Sequence, residues 1–334
     1  MKKYFCLANT AEGFVNLTSE NIKETTKIYS IKSNIKASID ALVRKVGEFY
    51  EKLDIDVEYI VSPIDLGLYS GVIIRKAGIA AIDIALYSDG KTVVLDKCTA
   101  GDEENSKINS LLLKMHEEYK KAKQIHDDWE KIYIQNMDMK RLDKFSAETI
   151  DFLLNDKKAD KKAKSVKRFF GASAPGGSVN YINLLTKGIK NRYFIKGRPG
   201  TGKSTFLKKL AKEAESRGFD TEIYCCSFDP KSLDMVIVRE LDFCVFDSTA
   251  PHELFPMNEN DYILDFYEES GLNGVDEKYL KELEIISNKY SNAIKSGVEY
   301  LAQAVKIHTI RERILSSAID YAKIDEISKM ICVD

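Results

Sequence analysis

Eight consecutive residues, Gly197-Arg198-Pro199-Gly200-Thr201-Gly202-Lys203-Ser204, combine three glycines with a lysine and a hydroxyl at fixed spacing. The pattern G-x-x-x-x-G-K-[ST] is suited to holding a polyphosphate. Glycines let successive backbone N–H groups turn inward around a β-phosphate, where side chains would obstruct the approach. Lys203 can reach the β- and γ-oxygens, and Ser204 can offer its hydroxyl to Mg²⁺. A helix starting near Thr205 would point its positive end at the anion. ATP and Mg²⁺ are therefore the ligands expected on Gly197 through Thr205.

Other residues have the right chemistry to complete such a site. Leu241 to Asp247 is an apolar run ending in an acid, 44 residues after Lys203 (247 − 203), the form of a Walker B element. Asp247 is expected to share the magnesium with Ser204. No glutamate follows Asp247, so the acid that orients water must come from elsewhere. Asp229, at the end of the preceding strand in Ser227-Phe-Asp229-Pro, is the candidate, with a turn-capping role as the alternative. Its Ser-Phe-acid context resembles RecA-like ATPases. His252 can face the same crevice or sit in a turn. The small-residue loop from Gly171 to Gly177 can approach a ligand or simply turn the chain. Arg75 and Arg239, at matching positions, read as ion-paired residues before they read as arginine fingers. His126/Glu130 and His308/Glu312 have a metal-compatible i, i+4 spacing, but no third ligand is identifiable, and an ordinary helix-surface or inter-helix pair is expected.

The elements that must position these groups occur twice. Residues from Lys3 to Asp83 align without gaps on Lys167 to Asp247 at an offset of 164 (167 − 3). Tyr29-x-Ile31-Lys32 matches Tyr193-x-Ile195-Lys196, and Asp83 matches Asp247. The match resumes at an offset of 182 (308 − 126) in helical tails, about Glu103 to Leu154 and about Glu277 to Ile331. The extra residues of the second copy are expected near Gly271 to Gly274. Each copy reads strand, small-residue loop, strand, loop, helix, strand, and a strand ending in Asp83 or Asp247. The fold expected is α/β: two tandem P-loop NTPase-like domains, residues 1–165 and 166–334. Each has a mostly parallel sheet covered on both faces and a long helical segment after it. Phe206, Leu207, Leu210 and Ala214 mark the buried face of the helix after the loop. At the loop position the first copy reads Ser33-Asn-Ile-Lys-Ala-Ser-Ile-Asp40, with no glycine, Ile39 for Lys203 and Asp40 for Ser204. The first half is expected to bind no triphosphate and to support the second.

Of the 334 residues, 44% are hydrophobic and 31% charged, an ordinary balance for a soluble globular chain. A formal charge of −2 gives no electrostatic case for nucleic acid, and the lysines from Lys157 to Arg168 read as a solvated helix end and linker. The apolar start stops at Asn9, and no apolar stretch approaches ~18 residues, so neither a signal peptide nor a membrane span is expected. Six cysteines without a C-x-x-C pair fit reduced thiols and a cytoplasmic location.

The chain resembles a family of bacterial tandem P-loop ATPases. The resemblance is strongest from Tyr193 to Pro256. It rests on Tyr-Phe-Ile-Lys-Gly-Arg-Pro-Gly-Thr-Gly-Lys-Ser-Thr, Phe-Asp-Pro-Lys-Ser-Leu-Asp-Met-Val-Ile-Val-Arg-Glu-Leu and Phe-Asp-Ser-Thr-Ala-Pro-His-Glu, with weaker matches in the first half. It implies ATP binding and hydrolysis. Members carry a phosphate loop in both halves, and this sequence departs from that in the first. Adenine is preferred by default, because Asn288-Lys-Tyr-Ser291 lacks the acid of a guanine-reading motif. The function expected is a Mg-dependent ATPase with one site, built on Lys203, Asp229 and Asp247. Two alternatives are a small-molecule kinase using the same site and a nucleotide-dependent sensor that docks a protein partner.

Overall fold

A computed structural model describes residues 1–96 and 102–333; Cys98 lies outside them. The first half contains β1 (Lys2–Tyr4), a hairpin of β2 (Leu7–Thr10) and β3 (Gly13–Asn16), then β4 (Lys27–Lys32), β5 (Glu58–Val61), β6 (Tyr69–Ile74), β7 (Ile79–Asp83) and β8 (Lys91–Val94). The second repeats them as β9 (Ser165–Arg168), a hairpin of β10 (Gly171–Ala174) and β11 (Gly177–Asn180), then β12 (Asn191–Lys196), β13 (Thr221–Cys225), β14 (Leu233–Val238), β15 (Phe243–Asp247) and β16 (Asp261–Asp265). The small-residue loops of the sequence are thus hairpin turns.

Each half forms a six-stranded sheet, ordered β1-β5-β6-β7-β4-β8 and β16-β12-β15-β14-β13-β9. Both are mostly parallel, but β6 and β14 run antiparallel to both neighbours. Sequence alternation did not reveal these reversed strands. Each turns back through a single helical turn, Arg75–Ala77 or Arg239–Leu241, too short for a crossover helix. The extra residues of the second half fall in two places, the 248–260 loop and the 266–279 segment.

One face of each sheet carries the helix that follows its loop. Lys36–Glu51 packs Ile39, Leu42, Val43 and Val46 on the first sheet. Lys203–Ser216 packs Phe206, Leu207, Leu210 and Ala214 on the second, the face read from the sequence. The other faces are covered differently from the expectation of helices on both sides. Ile60, Ile73 and Ile82 of the first sheet share one buried cluster with Phe194, Met235, Ile237 and Phe246 of the second.

The helical tails are exchanged. Each is broken once, giving Asp102–Ile134 and Met139–Leu154, then Leu280–Leu315 and Tyr321–Val333. Ile150, Leu153 and Leu154 of the first tail join the core around Phe206 in the second half. Ile324, Ile327 and Ile331 of the second tail join the core around Leu42 in the first. The two long helices pack on each other through Leu112, Met115, Tyr119, Leu301 and Ala304. Gly297 permits that crossing, since any side chain there would strike the Tyr119 ring.

The seam between the halves is polar at its centre. Phe5 and Phe169 exchange two backbone hydrogen bonds of 2.9 Å. Beside them Arg168, 1% exposed, stacks 4.1 Å above the Tyr4 ring and donates to Glu58 at 3.3 Å, with Glu222 at 4.0 Å on its other side. Arg75 and Arg239 hold Glu58 and Glu222 from outside, so this matched arginine pair is structural. Burial alone would raise the Glu58 pKa, but Arg168 and Arg75 bring it down to about 2; Glu222 is likewise held far below its ordinary range. A depressed folded-state pKa contributes stability above the unfolded value of 4.5, which is lost as pH falls toward 2. Chemical unfolding measured across that interval is expected to show stability falling steeply below pH 4.5, with a shallower slope in Glu58→Gln.

Candidate functional site

β12 delivers Gly197 to the carboxyl edge of the second sheet, between β15 and β16. Gly200 and Gly202 take φ of +76° and +80°, and the chain enters the helix at Lys203. The buried Thr201 donates its N–H and hydroxyl to the Arg198 carbonyl, at 3.3 and 2.8 Å. Lys203 Nζ donates to the same carbonyl at 3.0 Å and stands 3.6 Å from Asp247 Oδ2. Asp247 is beside the loop because it pairs in register with Ile195. Its other oxygen accepts the N–H and hydroxyl of Thr249, at 3.0 and 2.7 Å. Ser204 Oγ accepts the Leu233 N–H at 2.9 Å, Thr205 is exposed on the first turn, and Arg198 donates twice to Asp276. The loop, Lys203, Ser204 and Asp247 are thus brought together.

A second carboxylate stands next to Asp247. The β14–β15 register pairs Met235 with Phe246, and its next step sets Asp234 opposite Asp247 on one face. Asp234 is also the residue left unpaired where β13 and β14 shift register. Burial, then the Asp247 charge, holds its carboxyl well above the ordinary range. Asp229 lies on the neighbouring turn, where its oxygens accept from Lys231 N–H at 3.2 Å and Ser232 Oγ at 3.3 Å. Its Oδ2 is 3.5 Å from Lys123 Nζ.

Lys123 belongs to the first half, which also covers the glycines of the loop. Glu130 and Ile134 press on Gly200, where a Cβ would stand 2.9 Å from the Glu130 carbonyl; Leu142 lies on Gly202. His126 Nδ1 is 3.6 Å from Glu130, among the rings of Phe228 and Tyr290. Burial and then the ammonium groups of Lys123 and Lys203 push His126 below its ordinary pKa; burial pushes Glu130 up. Ala11, at the tip of the first hairpin, donates to Phe228 O at 2.9 Å and steadies the Asp229 turn. His126 and Glu130, expected as an ordinary helix-surface or inter-helix pair, therefore stand at the glycine loop. Asp127 is the third potential ligand beside them, all three within 4.8 Å, but it is already bonded to the Lys123 ammonium.

The same geometry recurs over the degenerate loop, with the anion built in. Glu312 Oε2 accepts the Ala37 N–H at 3.0 Å, and Arg311 donates to Asn34 O at 3.0 Å. Lys36 reaches Asp83, the counterpart of Asp247, at 2.6 Å. Asp40 keeps the place of Ser204 in its side chain as well as its backbone. It accepts the Tyr69 N–H at 2.8 Å and pairs with Arg44 at 2.7 Å, the strand contact that Ser204 makes in the second half. The carboxylate on the loop is that of Glu312.

His252 is buried against Phe170, with Ser178 Oγ at 3.5 Å, as a turn histidine. Two open clefts, of about 760 and 500 Å³, lie away from the loop, one along β8 and one between Met139–Leu154 and Lys203–Ser216. Chemistry rather than volume marks the site. No helix among the described residues is long and apolar enough to cross a membrane. No protein-family model, curated protein or solved structure matches the chain.

Lys123 was missed in the sequence: a lysine on a helix gave no signal until the helix exchange placed it. Asp234 was legible only as the end of the Asp229 to Asp234 segment, read as an acceptor-binding stretch in the kinase alternative; the register shift sets it opposite Asp247. The Glu312 contact gives a direct test. Glu312→Ala removes the acceptor of the Ala37 N–H and the carboxylate 3.7 Å from the buried Arg311, which keeps its bond to Asn34 O, and is expected to lower unfolding free energy by about 2 kcal/mol in a urea titration.

Proposed function

We propose that the chain is a Mg-dependent ATPase with one nucleotide site, in the second half, beneath a helix contributed by the first. The observation that carries this reading is the meeting of Lys203, a helix N-terminus, the Ser204 hydroxyl and Asp247 at one sheet edge. It agrees with the loop pattern and with the resemblance to tandem P-loop ATPases. The donor set suits magnesium: a hydroxyl and carboxylates are hard oxygen ligands. The Asp247 charge helps hold the Asp234 carboxyl above its ordinary range, and a cation placed between the two would relieve that repulsion. Bound there, Mg²⁺ would neutralise charge on the β- and γ-oxygens.

In this reading the loop amides and Lys203 hold the triphosphate and stabilise charge on the transferring group. A water oxygen attacks the γ-phosphorus and the bond to the β–γ bridging oxygen breaks. ADP departs, and the water proton leaves on inorganic phosphate or to solvent. Asp229 is the acid proposed to orient that water. The degenerate half does not take part, since Glu312 already occupies its loop amide.

Lys203→Ala is expected to reduce Mg-ATP-dependent phosphate release at least about 100-fold. Full release from that variant would overturn the assignment. The grip of Glu130 and Leu142 on Gly200 and Gly202 also favours a second reading, in which nucleotide binding is sensed by the first half. A protein that binds ATP without turnover, yet changes its protease cleavage pattern on binding, would select it.

A further inference from the structure

Each long helix stands over the loop of the opposite half, and the two helices differ where they face those loops. At the offset of 182, His126 and Glu130 correspond to His308 and Glu312. These residues occur over the intact loop and over the degenerate one alike, so their retention follows the joint between halves. Lys123 does not behave this way: its counterpart is Val305 (123 + 182), and that of its partner Asp127 is Thr309 (127 + 182). Asp234 has Ser70 as its counterpart (234 − 164). Among the described residues, a helix ammonium at this position faces only the loop with glycines; the other helix brings a guanidinium, Arg311, which is already bonded to Asn34 O.

Glu312 shows how far this helix face reaches, because its carboxylate sits on a loop amide in the degenerate half. Lys123, His126, Asp127 and Glu130 follow one another at i, i+3, i+4 and i+7, along a single face. The Lys123 ammonium is 3.5 Å from Asp229 and bonded to Asp127, with its side chain 29% exposed. It acts electrostatically on His126 and Glu130 together with Lys203, so both ammonium groups bear on the same pair.

We propose that Lys123 is a ligand of the terminal phosphate, donated by the first half to the nucleotide bound in the second. This rests on the ATP reading above and adds to it a residue that distinguishes triphosphate from diphosphate. The chemistry is an exchange of anions. A γ-phosphate replaces the Asp127 and Asp229 carboxylates as the partner of a flexible, three-donor ammonium. A diphosphate ends short of that position and leaves the carboxylate pairs intact.

Calorimetric titration of the full chain with Mg-ATP and with Mg-ADP tests this in the parent, Lys123→Ala, Lys123→Gln and Lys123→Arg. Lys123→Gln keeps most of the stem, in case the alanine variant folds poorly. Both neutral variants are expected to lose about 30-fold in ATP affinity, the worth of a hydrogen bond to a charged group. Their ADP affinity should stay within about twofold, and Lys123→Arg should keep most of the ATP affinity. A parent that binds both nucleotides, with variants that lose both equally or neither, would overturn the proposal and leave the ATP reading standing. A parent that binds neither nucleotide would overturn the ATP reading, and this proposal with it.

Discussion

One buried guanidinium sets the relation between the two halves. Arg168 lies between Glu58 and Glu222, which hold equivalent positions in the repeat, and each of these has its own outer arginine. Removing charges from water costs several kcal/mol per ion, and only close partners offset it. Separating the halves would leave these groups without the geometry that compensates their burial. The counterpart of Arg168 is Tyr4 (168 − 164), and the guanidinium stacks on that ring. A second arginine there would have met a like charge. The repeat is therefore asymmetric at its own seam, and the seam fixes which surfaces face each other.

With that relation fixed, the exchanged tails follow. Each helical tail leaves its own sheet and buries apolar side chains on the other half, so each loop is covered in part by the opposite half. The consequences differ because the loops differ. Over the loop without glycines, the gap is filled by the chain itself, with Glu312 on a backbone amide and Lys36 on Asp83. Over the glycine loop, the corresponding Glu130 presses its backbone on Gly200, and Lys203 bridges a loop carbonyl and Asp247. One half thus carries its own carboxylate on the loop, and the proposed nucleotide site lies at the corresponding place in the other.

Much of this was legible in the sequence, for physical reasons. The loop spacing, the acid ending β15 and the face of Phe206, Leu207, Leu210 and Ala214 are local patterns, and local patterns survive any arrangement of domains. The reversed strands β6 and β14 were hidden because a short apolar run reads the same in either direction. Periodicity in the tails showed that one face is buried, but not against what. His126 and Glu130 thus read as an ordinary pair, and Lys123 as one of many surface lysines. Asp40 holds the place of Ser204 in the alignment, and its carboxylate makes the equivalent strand contact, accepting the Tyr69 N–H as Ser204 accepts that of Leu233, while also pairing with Arg44.

The asymmetry of the two loops is tested most directly by the stoichiometry of Mg-ATP binding to the full chain, measured by titration calorimetry. One site per chain, abolished by Lys203→Ala and untouched by Glu312→Ala, is the result expected. Two equivalent sites per chain, or no binding at all, would contradict it.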